Sequence, residues 1–319
     1  MSSLLERVGV RLPVVQAGMG GGIAGSGLAA AVSDAGGLGT VGMHPPLVLA
    51  GLIAAVRERT SAPVAVNLLL PFASGRHFAA AEAADVVVTF WGRPRRRTSG
   101  VWIHQCGSVE EALRARSAGA DGVIAQGVEA GGHVRGTEPA LRLLERARAA
   151  LGPQYPVLLA GGIADAGDVR TALQAGAEAA VLGTRFVLAE ESGATPAYRQ
   201  RLIEADHTVL TELFGFGWPA PHRVVANDAT RRWIGHDQRG PVAIRVLNRA
   251  SGLLARMPQA THAPLVRAQR ASRPVLTPNP PGPGTPPGLV DAGALYAGDT
   301  VARLHAIAPA GDLVRALAG

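Results

Sequence analysis

Eight short apolar runs recur along the chain, most of them followed by an alanine-rich segment of helical character. The runs are Pro13–Met19, Leu38–Met43, Pro63–Leu70, Asp85–Gly92, Val101–Gly107, Asp121–Gly127, Pro156–Gly162 and Ala179–Phe186. Each is apolar nearly throughout, as a strand covered on both faces must be. The segments Gly25–Ala35, Pro46–Glu58, Val109–Ala118, Glu138–Leu151 and Ala166–Ala175 read as helices, and Ser108 followed by Glu111 reads as a capping box. Strands alternating with helices specify parallel βα units, and eight of them specify an α/β fold of the (β/α)8 TIM-barrel type.

The rhythm is broken in two places. Only Arg93–Gly100 separates the fourth and fifth runs, too short for a crossover helix. The fourth βα unit is therefore expected to be shortened. After the eighth run, residues 206–272 are mixed and helix-leaning, with Trp218, His222 and Trp233, and Arg273–Leu289 is rich in proline and glycine. The expected organisation is a barrel over 1–205, a small inserted cap over 206–289 and a helical segment over 290–319 that returns to the barrel.

Composition removes several chemistries. All 31 cations are arginine, which excludes Schiff-base lysines and a Walker A loop. The net charge is +7. The densest basic run, Arg93, Arg95, Arg96 and Arg97, has one aromatic neighbour, Trp91, so it reads as a solvated loop and not as a nucleic-acid platform. No apolar stretch is long enough to span a membrane, and Glu6 and Arg7 interrupt the place of a signal-peptide core. The single cysteine, Cys106, excludes a disulfide framework and fits a reducing cytoplasm. No metal-ligand spacing and no nucleophile elbow is present.

In such a barrel the chemistry lies at the C-terminal ends of the strands. Run seven ends in AGGIAD and run eight in LGTRF, so Gly161, Gly162, Gly183 and Thr184 are candidates for a phosphate site. After run six comes QGVEAGGH, where Gly132 leads into His133 on a flexible, exposed loop, a candidate general base or acid. The run Gly20, Gly22, Gly25 matches G-x-G-x-x-G. However, no acidic residue follows at the end of the second strand, so a dinucleotide fold is rejected. Those glycines are read as letting the backbone approach a flat ligand. Cys106 reads as a small buried hydrophobe. His44 and His104 sit at strand ends and are weaker pocket candidates. His207, His222 and His236 fall in the expected cap with exposed or packed roles.

Taken in order, VVQAGMGGGIAGSGLAAAVSDAGGLGTVG, VNLLL, AQGVEAGGHVRG, LLAGGIAD, VLGTRFVLAEES and LYAGDTV resemble the nitronate monooxygenase (2-nitropropane dioxygenase-like) flavoproteins, over nearly the whole barrel. The resemblance implies one non-covalent FMN. Ala17, Gly18 and Met19 would pass its ring. Asn67 and Gln105 would bond its polar atoms with Gln126 nearby, and Gly161, Gly162, Gly183 and Thr184 would hold its phosphate. His133 matches the catalytic histidine, beside Gly132.

The implied activity is oxidation of alkyl nitronates with O2 to a carbonyl compound and nitrite. Other branches sharing these motifs are FMN-dependent NAD(P)H enoyl-acyl-carrier-protein reductases and NADH:quinone reductases. Some quinone-reducing relatives carry lysine where this chain has Gln105. A flavin-free phosphate-sugar barrel is the rival from another class. The expected partners are a small-molecule substrate and O2, with no nucleic acid, metal or membrane, and a homodimer is left open.

Overall fold

The computed structural model describes residues 3–252 and 263–319, so residues 253–262 of the expected cap lie outside the described residues. Eight parallel strands form the barrel: β1 Val14–Gln16, β2 Gly39–Val41, β3 Val64–Leu69, β4 Val86–Phe90, β5 Val101–Cys106, β6 Gly122–Gln126, β8 Val157–Ala160 and β9 Ala180–Leu182. Their order is β1-β9-β8-β6-β5-β4-β3-β2. A parallel bridge between Val15 and Leu38 joins the two ends, with Gln16 donating to the Leu38 carbonyl and Leu38 to that of Val14. The eighth strand is shorter than its apolar run suggests. Helix Thr184–Val187 starts directly after Gly183, because this stretch caps the end of the barrel instead of extending it.

The barrel's interior follows a two-residue period. Val15, Ala65, Val86, Val88, Ile103, Ile124, Leu158 and Val181 share one buried cluster with Leu4, Leu5 and Val10 from the N-terminal segment. Trp102, Cys106, Val123, Val157, Leu159 and Ala180 belong instead to the layer beneath the helices. Stepping two residues along from the interior set gives Ala17, Asn67, Phe90, Gln105, Gln126, Ala160 and Gly183, all of which line one cavity. The polar residues thus fall on the inner face, one layer above the apolar plug.

The five expected helices are present with ends shifted by a residue or two. A further helix, Gly75–Ala81, lies between β3 and β4, started by Ser74 and closed by the His77 imidazole accepting from the Ser74 amide. The expected capping box at Ser108 is only half formed. Ser108 Oγ accepts from Glu111 N, whereas the Glu111 carboxylate accepts from Gly107 N and pairs with Arg135. No helix separates β4 from β5, as the short spacing requires.

After β9 the chain leaves the barrel, and it contains strands as well as helices. β10 Val209–Thr211 pairs with β11 His222–Val224, which pairs in turn with β7 Gly132–His133, all antiparallel. The tail is not one helix but short turns at Leu289–Ala292 and Asp299–Arg303 followed by helix Ala310–Ala318. This last helix buries Ala310, Leu313, Val314 and Leu317 in the same layer as Val14 and Val32. Among the described residues no helix is long and apolar enough to cross a membrane.

Candidate active site

A cavity of 1310 Å³ opens at the C-terminal face of the barrel. It is lined by Ala17, Gly18, Met19, Asn67, Gln105, Gln126, Gly132, His133, Gly161, Gly162, Gly183 and Thr184, so these twelve residues named from the sequence meet at one place. Gly18 fits because nothing larger can. A β-carbon there would lie 2.2 Å from Cβ of Asn67. Gly161 and Gly162 have φ of +108° and +74°, a conformation glycine adopts freely, and they leave the rim between β8 and the helix after it without side chains. The Thr184 hydroxyl accepts from Gly298 N at 2.9 Å, so its own proton is free to donate.

Several candidates behave differently from expectation. Gln126 spends its amide within the protein, donating to the His133 carbonyl at 3.0 Å and accepting from Arg135 N at 3.0 Å. It shapes the His133 loop. His104 points out of the barrel: Nδ1 is 2.7 Å from the Thr89 hydroxyl, which also accepts from Trp102 Nε1 at 2.7 Å. His44 does line the cavity, with Nδ1 donating to the Gly42 carbonyl. Cys106 is buried, and burial pushes its thiol up to about 12, leaving an inert side chain. The glycines after β1, Gly20, Gly22 and Gly25, line the cavity as well, and two positions in this run have a second task. A β-carbon at Gly21 or Gly22 would meet Pro280 or Pro283 within 3 Å, so they seat the proline-rich segment, which lines the cavity with Pro278, Pro280 and Pro283.

His133 is not on a flexible loop. Its backbone pairs with His222, and Trp218 stacks on its ring at a centroid distance of 3.7 Å and 19° between planes. Tyr296 lies 5.5 Å away. Nε2 is buried and bonds to nothing among the described residues. Burial, and then the neighbouring His222, hold the imidazole well below its ordinary value, so the ring is neutral at pH 7.

Residues that the sequence analysis did not single out for the site fix this arrangement. Arg223, on the strand beside β7, donates from Nε and Nη2 to the Val128 carbonyl at 3.1 and 2.8 Å and pairs with Asp299. Asp299 also donates its amide to the Glu129 carbonyl. Trp91 adopts φ +62°, alone among described non-glycine residues, and the Arg135 guanidinium sits 4.6 Å over its ring. Trp91 in turn packs edge-on to Trp218 at 5.4 Å. Sequence reasoning missed both Arg223 and Trp218: residues 206–272 read as helix-leaning, and the strand His222–Val224 that carries Arg223 emerges only in the structure.

Two buried histidines make stability pH-dependent. Burial lowers His104 to about 4, with Arg135 adding to the effect, and lowers His222 to about 4. His222 is fixed as a neutral tautomer, Nδ1 donating to the Ala220 carbonyl and Nε2 accepting from Phe214 N. The unfolded chain binds these protons near pH 6.5, so their contribution is whole above that pH and is lost as pH falls toward 4. Each costs about 1.4 kcal/mol per pH unit in that window. Urea unfolding at pH 7.5 and 5.0 should differ by about 3–4 kcal/mol for the pair; equal midpoints would show that these rings are not buried neutral.

A parallel barrel with a deep cavity, a neutral buried histidine and unpaired amides at its C-terminal face is the architecture of a TIM-barrel enzyme, and the comparisons place it among oxidoreductases. The nitronate monooxygenase family model matches residues 2–93 and 77–319, and the chain belongs to that family. A nitronate monooxygenase of Pseudomonas aeruginosa is 33% identical, with 64% of this chain and 74% of that protein covered. A (3aS,4S,5R,7aS)-5-hydroxy-7a-methyl-1-oxo-octahydro-1H-indene-4-carboxyl-CoA dehydrogenase of Mycobacterium tuberculosis is 30% identical over 83% of this chain and 76% of its own. Among solved structures, FabK from Thermotoga maritima superposes with a TM-score of 0.78 at 26% identity, covering 99% of this chain and 95% of that one. A nitroalkane oxidase from Streptomyces ansochromogenes gives 0.76 at 29% identity, covering 99% and 97%.

Proposed function

We propose that this chain binds one FMN non-covalently and oxidises alkyl nitronates with O2 to a carbonyl compound and nitrite. The observation that carries this reading is a set of polar groups on one cavity wall with no protein partner. Nε2 of His133 is buried and unbonded, and the Asn67 and Gln105 amides make no hydrogen bond among the described residues although both line the cavity. A buried polar atom such as Nε2 is rarely left unpaired, and with two amides free to face the cavity it fits a polar, planar ligand. The glycine rim at Gly161, Gly162 and Gly183 with the Thr184 hydroxyl fits a phosphate. The names of the relatives support the same chemistry.

FMN, when bound, supplies an electron acceptor that passes electrons on to O2. The chain's residues bind, orient and move protons. Asn67 and Gln105 orient the ligand's polar edge. The Gln126 amide holds the His133 carbonyl and thereby the imidazole. Neutral His133 takes the α-proton of a nitroalkane at a ring nitrogen, or hydrogen-bonds a nitronate oxygen. The stacked Trp218, together with Phe72 at 5.0 Å from it, excludes water from that face.

Because burial holds His133 below 6.5, the active neutral form persists into acid. The kcat/KM for a neutral nitroalkane should stay level as pH falls through 6.5 and drop only below it. A limb at or above 6.5 would mean the base is not this buried ring.

The reductase branch is the second reading. It is favoured by the size of the cavity, 1310 Å³, larger than the roughly 300–1,000 Å³ of ordinary ligand sites, and by the FabK superposition. A visible spectrum of FMN-loaded protein before and after anaerobic NADH separates the two. Persisting flavin bands with nitrite release from nitronates support the monooxygenase. Bleaching by NADH makes the chain a reductase.

A further inference from the structure

Trp91 follows the last residue of β4, where the fourth helix is missing. Trp91 and Gly92 take φ of +62° and +76°, so the chain turns off the strand end through two left-handed residues. Glycine adopts that conformation freely, whereas a bulky side chain there is strained. The indole Nε1 is also buried without a hydrogen-bond partner among the described residues, a second cost. Neither cost is offset by a local hydrogen bond, so the packing of the ring must hold Trp91 in place.

That packing leads to His133. The Trp91 ring does not itself line the cavity. It meets Trp218 edge-on at 5.4 Å, and Trp218 is the ring stacked on the imidazole at 3.7 Å. Trp91 also stands edge-on to the imidazole at 6.4 Å. The Arg135 guanidinium lies over Trp91 at 4.6 Å and is anchored by Glu111. The Arg135 amide donates to Gln126, which holds the His133 carbonyl. Arg135 thus holds His133 by two routes, its backbone through Gln126 and its ring through Trp91 and Trp218.

We propose that Trp91 is a positioning residue for His133: clamped by Arg135 in a strained backbone, it backs Trp218 against the imidazole and fixes the orientation of that ring. The proposal rests on the reading above only for the reaction that the imidazole serves.

The test compares Trp91→Gly, which relieves the backbone strain and removes the ring, with Trp91→Phe, which keeps a ring. Arg135→Lys keeps the charge and removes the flat stacking partner, and it decides the matter should Trp91→Gly not fold. Histidine titration by NMR, with the His133 signal assigned by its loss in His133→Ala, reads the imidazole directly and needs neither flavin nor substrate. The titrating groups beside that ring are His222 at 5.6 Å and Tyr296 at 5.5 Å, and no variant alters them or the Arg135 charge. Burial holds the parent ring below 6.5. Loosening the stack admits water, so the ring should titrate closer to 6.5 in Trp91→Gly and Arg135→Lys and stay near the parent value in Trp91→Phe. With a neutral nitroalkane, kcat should fall about tenfold in Trp91→Gly at a KM near the parent value, and Trp91→Phe should recover most of the loss. An unchanged ring titration in Trp91→Gly and Arg135→Lys overturns the proposal. So does a fall in kcat that Trp91→Phe does not recover, because the substitution would then act by general damage. If the parent protein turns over no nitroalkane, the functional reading fails while the ring titration still decides this one.

Discussion

His133→Ala should retain bound flavin and turn over a neutral nitroalkane about 10²–10⁴-fold more slowly, the range for removing a positioned general base. The substitution removes the unpaired Nε2 on the cavity wall and the stacking partner of Trp218. The residues expected to hold the flavin are untouched. A preformed nitronate has already lost its α-proton and should suffer less. The comparison of the two substrates therefore tells proton removal from general damage to the site. Stopped-flow reduction and nitrite release measure both. Unchanged nitroalkane turnover would remove the proposed role of His133.

Gly18→Ala should cost the protein most of its flavin. The new methyl would sit 2.2 Å from Cβ and 2.8 Å from Cγ of Asn67, and Asn67 is held in register within β3, paired to Val88 of β4. Overpacking of this kind costs about 1–3 kcal/mol. It also turns the Asn67 amide away from the cavity. The melting temperature should fall, and the purified protein should carry well under one flavin per chain by its visible absorbance. Gly51→Ala is the control. A β-carbon there meets nothing within 4 Å, and the residue sits in helix Pro46–Arg57 outside the cavity lining, so flavin content should stay at the parent value and the melting temperature should not fall. Full flavin content and parent stability in Gly18→Ala would mean that Asn67 does not hold the ligand.

The local pattern made much of this fold legible. Runs such as Pro63–Leu70 and Pro156–Gly162 are apolar on both faces, and only a strand sandwiched between a barrel interior and a helical layer needs that. The short Arg93–Gly100 link could not contain a helix, and none is there. Asn67 and Gln105 were legible as polar residues at strand ends. His104 was not separable from Gln105 by the same argument. A strand buried on both sides is apolar on both sides, so its sequence does not say which of two neighbours points inward. Ile103 in the interior cluster and Trp102 in the outer one decide it.

By itself, then, the sequence determined the barrel, the loss of its fourth helix and the gathering of Gly18, Asn67, Gln105, His133, Gly161 and Thr184 at one end, because strand period and strand order are local properties. Tertiary structure decided how His133 is held. The strand His222–Val224 lies beside Gly132–His133, Trp218 stacks on the imidazole, and Arg223 ties Val128 to Asp299. These contacts join segments far apart in the chain, and no spacing rule encodes them. They also set the environment that keeps the imidazole neutral. Burial is a property of the packed whole, so the protonation state of His133 could not be read from the residues around it in sequence.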